Sequence, residues 1–177
     1  RNVTCRFGIP PLERPGFRND PELGGGAFLD VGSYLISAVT ALFPESTPEV
    51  LFTKIDTAPG SRVDSGGRAI LRYPNGVYVT LEWGINCSYR NEIDLWGSTG
   101  SVFSERFFSK PADYVPKFRF LDLRGQESYT TCRSGNHFVS MFEEFRMRAD
   151  NPVEAEKERV VIARRAHLMN EVVKAQI

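Results

Sequence analysis

Apolar positions recur at helical spacing in one early segment and at two-residue spacing through the middle of the chain. From Ala27 to Phe43, Phe28, Val31, Leu35, Val39 and Leu42 fall three or four residues apart, which predicts a helix with one buried stripe; Pro44 and Pro48 lie beyond its end. Before it, Val3 to Phe7 has strand character, and the Pro-, Arg- and Gly-rich stretch from Gly8 to Leu23 reads as an extended loop. Strands are predicted over Val50 to Asp56, Gly67 to Tyr73, Val77 to Trp83, Glu92 to Trp96, Ser101 to Phe107 and Phe118 to Leu123. Val77, Val79, Leu81 and Trp83 alternate strictly, and Pro74-Asn75-Gly76 supplies the turn before them. Phe138, Met141, Phe142 and Phe145 return to helical spacing, Asn151-Pro152 interrupts it, and Val153 to Ile177 forms a last helix. Strand, helix, a run of hairpins and then helices is an α+β pattern: an open, mostly antiparallel or mixed sheet with helices packed on one face. The other face is left for solvent or a partner.

Composition narrows the function classes. Lys+Arg and Asp+Glu both number 22, and a neutral chain offers no electrostatic ground for nucleic acid or an anionic membrane. No apolar run reads as a membrane span, and Arg1-Asn2-Val3-Thr4-Cys5 lacks a signal peptide's apolar core. Cys5, Cys87 and Cys132 are odd in number and widely spaced, which fits reduced thiols and a cytoplasmic setting. Two histidines and no CxxC leave no metal motif. The 13 Phe imply a well-filled core or an adhesive interface. The absence of an initiator Met suggests a fragment.

Three features have site character. Gly24-Gly25-Gly26 precedes a helix, but without GxGxxG or GxxxxGK[ST] it reads as a tight turn passing close to other backbone rather than a phosphate loop. Asp30 and Tyr34 are four apart on one predicted helix face, with Gly32 between them leaving room for another surface. A carboxylate and a phenol so placed suit a polyol. Spacing alone favours the plainer reading, an Asp stabilised by the helix dipole and a Tyr half in the core. Arg18 and Asn19 sit just before the glycines, and Arg90-Asn91 falls between two strands, where surface and hairpin roles explain them as well.

The block Phe17-Arg18-Asn19-Asp20-Pro21-Glu22-Leu23-Gly24-Gly25-Gly26-Ala27-Phe28-Leu29-Asp30-Val31-Gly32-Ser33-Tyr34 resembles the C-terminal domain of the Gfo/Idh/MocA oxidoreductases, whose pattern is FR-DP-LGGGAL-D-G-Y/H. Arg90-Asn91-Glu92 through Gly97-Ser98-Thr99-Gly100-Ser101 and His137-Phe138 through Phe145 resemble later parts of the same domain. The resemblance implies a substrate-binding and oligomerisation domain over residues 1–177, with an N-terminal Rossmann domain outside this chain. It implies NAD or NADP held by that domain, a sugar or polyol substrate between the halves, and a homo-oligomer formed through the open sheet face. Tyr34 stands where many members have His, as in the glucose-fructose oxidoreductase and dihydrodiol dehydrogenase branch. On this resemblance Tyr34 is the proton donor or acceptor, Asp30 its catalytic neighbour, Arg18, Asn19 and Arg90 line the substrate, and Gly32 lies toward the cofactor. A free phenol, with pKa near ~10, is a poor base at neutral pH; an adjacent ammonium, as from the family's E-K-P lysine, would favour the phenolate. Ser109-Lys110-Pro111 lies on the wrong side of the Asp30–Tyr34 segment to be that lysine motif. The chain alone is expected neither to hold the dinucleotide tightly nor to turn over. The alternative is a binding or dimerisation module that has lost catalysis.

Overall fold

The computed structural model describes residues 1–177. Eight strands form one sheet: β1 (Asn2–Ile9), β2 (Glu49–Asp56), β3 (Gly66–Arg72), β4 (Tyr78–Ile85), β5 (Arg90–Trp96), β6 (Gly100–Glu105), β7 (Lys117–Asp122) and β8 (Glu127–Thr131). Their spatial order is β2-β3-β4-β1-β5-β6-β7-β8. Only β1 and β4 run parallel; every other neighbouring pair is antiparallel, so the sheet is mixed and open, as the pattern predicts.

Three α-helices accompany it: α1 (Ser33–Leu42), α2 (His137–Ala149) and α3 (Pro152–Lys174). Alternation along the strands decides what they cover. Val3, Cys5 and Phe7 of β1, Val79, Leu81 and Trp83 of β4, and Ile93 of β5 point to the helices and are at most 5% exposed. They pack with Phe28, Val31, Leu35, Ile36 and Val39 beneath α1 and with Leu168 and Val172 of α3. Burial pushes the Cys5 thiol up to about 12, so it remains a protonated apolar group in the core.

The opposite face carries the intervening residues. In one row Lys54, Arg68, Glu82, Arg6, Glu92 and Glu105 lie side by side across six strands. Arg6 donates to Glu82 at 2.5 Å and to Glu92 at 3.1 Å.

Several expectations are corrected. The predicted helix over Ala27–Phe43 is two pieces: residues Phe28–Gly32 form a π-turn and only Ser33–Leu42 is α-helical. Arg90 and Asn91 belong to strand β5 rather than to a connection, and β8 was not predicted. The stretch Pro21–Leu42 is apolar enough by composition to resemble a membrane span. It is instead a 3-10 turn, three glycines, the π-turn and α1, half buried in the protein. Helix α2 has no buried residue, and Phe138, Phe142 and Phe145 are 59%, 65% and 69% exposed, so these aromatics form a surface and not the core.

Candidate functional site

The loop from Gly16 to Gly26 folds back on itself before the π-turn. Gly26 N–H donates to the Arg18 carbonyl at 2.9 Å and Gly25 N–H to the Asp20 carbonyl at 2.8 Å. A Cβ on Gly25 would sit 2.6 Å from the carbonyl oxygens of Phe17 and Arg18, so the glycines serve close backbone approach, as read from the sequence. The fold-back places Arg18 beside Asp30. Its guanidinium donates through Nε at 2.6 Å and Nη2 at 3.3 Å to the two carboxylate oxygens.

The π-turn sets where Asp30 and Tyr34 point. Ser33 N–H reaches back five residues to the Phe28 carbonyl, which widens the backbone there; such turns concentrate at functional positions. Leu29, Asp30, Ser33, Tyr34 and Ser37 thereby line one open hollow of about 360 Å³, completed by Phe17 and Gly24. The Tyr34 side chain is 45% exposed. Its ring stands edge-on to Phe7 at 5.3 Å and 85°, and no side-chain or backbone group of the chain bonds its hydroxyl.

The structure therefore brings together Asp30, Tyr34 and Arg18, and separates the rest. Arg18 does not line the hollow; it stands behind Asp30 with two donors committed to it. Asn19 is exposed and borders a different depression, formed with the 58–65 loop. Arg90 lies on the opposite face of the sheet, pairing with Glu92 at 3.5 Å, because strand alternation turns the helix-facing position to Asn91. Gly32 is buried, and a Cβ there would meet Phe28 at 2.7 Å and Trp83 at 3.3 Å. The surface that approaches Gly32 is thus β4 of its own sheet.

Two site residues were missed. Asp64, in the loop between β2 and β3, accepts from Phe28 N–H at 2.8 Å and Trp83 Nε1–H at 3.4 Å, while its carbonyl accepts from Ala27 N–H at 3.0 Å. Asp64 takes both amides at the start of the π-turn, Phe28 N–H with its carboxylate and Ala27 N–H with its carbonyl, so the glycine turn does not fit dinucleotide phosphates. Asn91 is 3% exposed beside Phe7, and its amide is fully engaged, with Phe108 and Ser109 of the segment after β6 and with the Tyr89 hydroxyl just before β5. Nothing in the spacing links either to Tyr34. No group of three or more His, Cys, Asp or Glu side chains assembles as metal ligands.

Desolvation holds the Asp64 carboxyl above its ordinary 3.8, against the opposing pull of the hydrogen bonds it accepts. A carboxyl raised on folding adds stability that is full below the unfolded pKa and is lost as pH rises through the folded one. Asp64→Asn keeps a carbonyl for Phe28 N–H and carries no charge. The melting temperature of Asp64→Asn, relative to wild type, therefore rises as pH is raised from below 3.8 toward neutrality. Paired thermal melts across that window check it; a difference that stays flat or falls refutes the assignment.

Known proteins share this fold. A 3-ketoreductase from Actinomadura kijaniata, solved with NADP and TDP-benzene, superposes with a TM-score of 0.88 at 26% identity, over 99% of this chain and 54% of that one. Its structures include a variant with a tyrosine replaced by phenylalanine and one with a lysine replaced by alanine. A dTDP-3,4-didehydro-2,6-dideoxy-alpha-D-glucose 3-reductase from Saccharopolyspora spinosa is 38% identical over 119 residues, 67% of this chain and 36% of its own length. A trans-1,2-dihydrobenzene-1,2-diol dehydrogenase from Xenopus laevis is 29% identical over 117 residues, 64% of this chain and 34% of its own length. The chain thus spans about half, or less, of the relatives it matches. The model of the GFO/IDH/MocA C-terminal domain matches residues 1–103, and the chain belongs to that family.

Proposed function

We propose that the chain is the substrate-binding half of an NADP-dependent ketoreductase acting on a nucleotide-linked keto sugar, with Tyr34 as the proton donor. The observation that carries the reading is the hollow in which an unpartnered phenol opens beside an Arg18-held carboxylate. Relatives that act on dTDP-linked keto sugars, and one solved with NADP and TDP-benzene, supply the substrate class. The tyrosine and lysine replaced in that relative are the two residue types the reading requires.

When bound by a separate dinucleotide half, the nicotinamide supplies hydride to the ketone carbon. This chain supplies the rest. The Tyr34 hydroxyl gives its proton to the ketone oxygen as the carbon is reduced, which yields the secondary alcohol. Asp30 orients a neighbouring sugar hydroxyl by accepting from it, and Arg18 fixes the direction of that carboxylate. Phe17 and Leu29, 46% and 50% exposed at the rim, offer apolar surface to the less polar side of a deoxy sugar. The exposed aromatics of α2 suit cover by the dinucleotide half, and the charged rows of the open sheet face suit a second copy of the chain.

The test is an assay of the two-domain parent with NADPH and a dTDP-linked 3-keto sugar. Oxidation of NADPH in proportion to alcohol formed supports the reading, with this chain alone inactive. A parent that binds both ligands and transfers no hydride is a binding module, and the proposal fails.

A further inference from the structure

Tyr34 has no hydrogen bond to fix its hydroxyl, so the direction of the phenol depends on what its ring rests against. That support is Phe7, 5% exposed, from β1. Phe7 is held in turn by Phe108, whose ring stacks on it at 5.6 Å and 20°. Phe108 lies outside regular structure, just beyond β6, in a segment that has to be tied down. The tie is Asn91. Its Oδ1 accepts from Phe108 N–H at 2.8 Å, and its Nδ2 donates to the Ser109 carbonyl at 2.7 Å and the Tyr89 hydroxyl at 3.0 Å. Asn91 is the register partner of Phe7 on the neighbouring strand, so the tie and the support lie side by side on the helix-facing side of the sheet.

We infer that Asn91 and Phe108 are positioning residues for Tyr34: the Asn91 amide pins the 107–109 segment, Phe108 wedges Phe7, and Phe7 sets the angle of the phenol. The inference rests on the reading of Tyr34 as proton donor. A buried amide with both donors and its acceptor engaged is costly to replace, since removing it leaves the Phe108 N–H and Ser109 carbonyl without partners. A loosened Phe108 leaves Phe7 free to tilt. A displacement of about 1 Å at a reacting group can cost on the order of a hundredfold in rate.

The experiment is a kinetic cycle in the two-domain parent with Asn91→Ala, Phe108→Leu, Tyr34→Phe and the two double variants that contain Tyr34→Phe. Phe108→Leu keeps apolar volume and carries the test where Asn91→Ala fails to fold. The expected result is a fall in kcat of about tenfold to a hundredfold for each positioning variant, with KM unchanged. In the Tyr34→Phe background the same changes are expected to have little further effect, because there is no phenolic proton left to place. Equal losses in both backgrounds indicate a structural role and overturn the inference, as does wild-type kcat in Phe108→Leu. Full turnover in Tyr34→Phe itself overturns the proton-donor reading and this inference with it, an outcome distinct from a dead Tyr34→Phe with additive doubles.

Discussion

Replacing Tyr34 with Phe in the proposed two-domain parent is expected to lower kcat by about 10²- to 10⁴-fold, the range for removal of a positioned proton donor, while the fold and its melting temperature are retained. The separation of the two effects follows from the geometry. The ring packs on Phe7 and remains in place, and the deleted oxygen has no partner within the chain and sits on a side chain 45% exposed. A surface change of that kind costs within about 0.5 kcal/mol. The substrate contacts proposed for Asp30 and the rim are untouched by the change, so KM should hold while kcat falls, the signature of an interaction made at the transition state and not in ground-state binding. Steady-state kinetics with NADPH and a dTDP-linked keto sugar, set beside thermal melts, measure both. A kcat within about threefold of wild type assigns the proton elsewhere.

How far this site could be read from the chain depends on which physical rule each residue obeys. Tyr34, Asp30 and Arg18 share one short block, and the structure brings them together; local spacing reports local geometry. The detail of their arrangement is hidden in the sequence, because a 3.6-residue period runs through Phe28–Gly32, which form a π-turn. Gly32 packs against Phe28 and Trp83, a contact that spacing along the chain does not report. Arg90 and Asn91 show the hazard of strands. Once both lie in β5, a shift of one residue changes the face, so the arginine points away and the asparagine faces Phe7. Strand β8, Glu127–Thr131, was missed because it is fully exposed and mostly polar, which leaves no alternation to read. Asp64 lies 36 residues from the amide it caps, a contact made by tertiary structure alone. The sheet, by contrast, was legible because β1 and β4 each keep one apolar face.

Two of the three glycines offer the sharpest stability contrast. Gly24 and Gly26 both have positive φ, at +72° and +113°, and a sequence reading treats them alike. Their surroundings differ. A Cβ on Gly24 would meet only Leu29 Cδ1 at 3.9 Å, an ordinary contact. Gly24→Ala then costs only the left-handed penalty, about 1–2 kcal/mol. A Cβ on Gly26 would collide with the Asp64 carboxylate, which cannot withdraw without releasing Phe28 N–H and Trp83 Nε1–H. It would also occupy a φ that side chains rarely adopt. Gly26→Ala therefore combines backbone strain with overpacking and should cost about 3 kcal/mol or more. In a chain of this size each kcal/mol shifts the melting temperature by about 2–4 °C, so Gly26→Ala is expected to melt about 6–12 °C lower and Gly24→Ala only a few degrees lower. The activity of the parent should follow the same order, because Asp64 fixes the start of the turn that aims Asp30 and Tyr34. Melts of the two single variants decide the matter: equal shifts would mean that Asp64 yields freely and does not anchor the site.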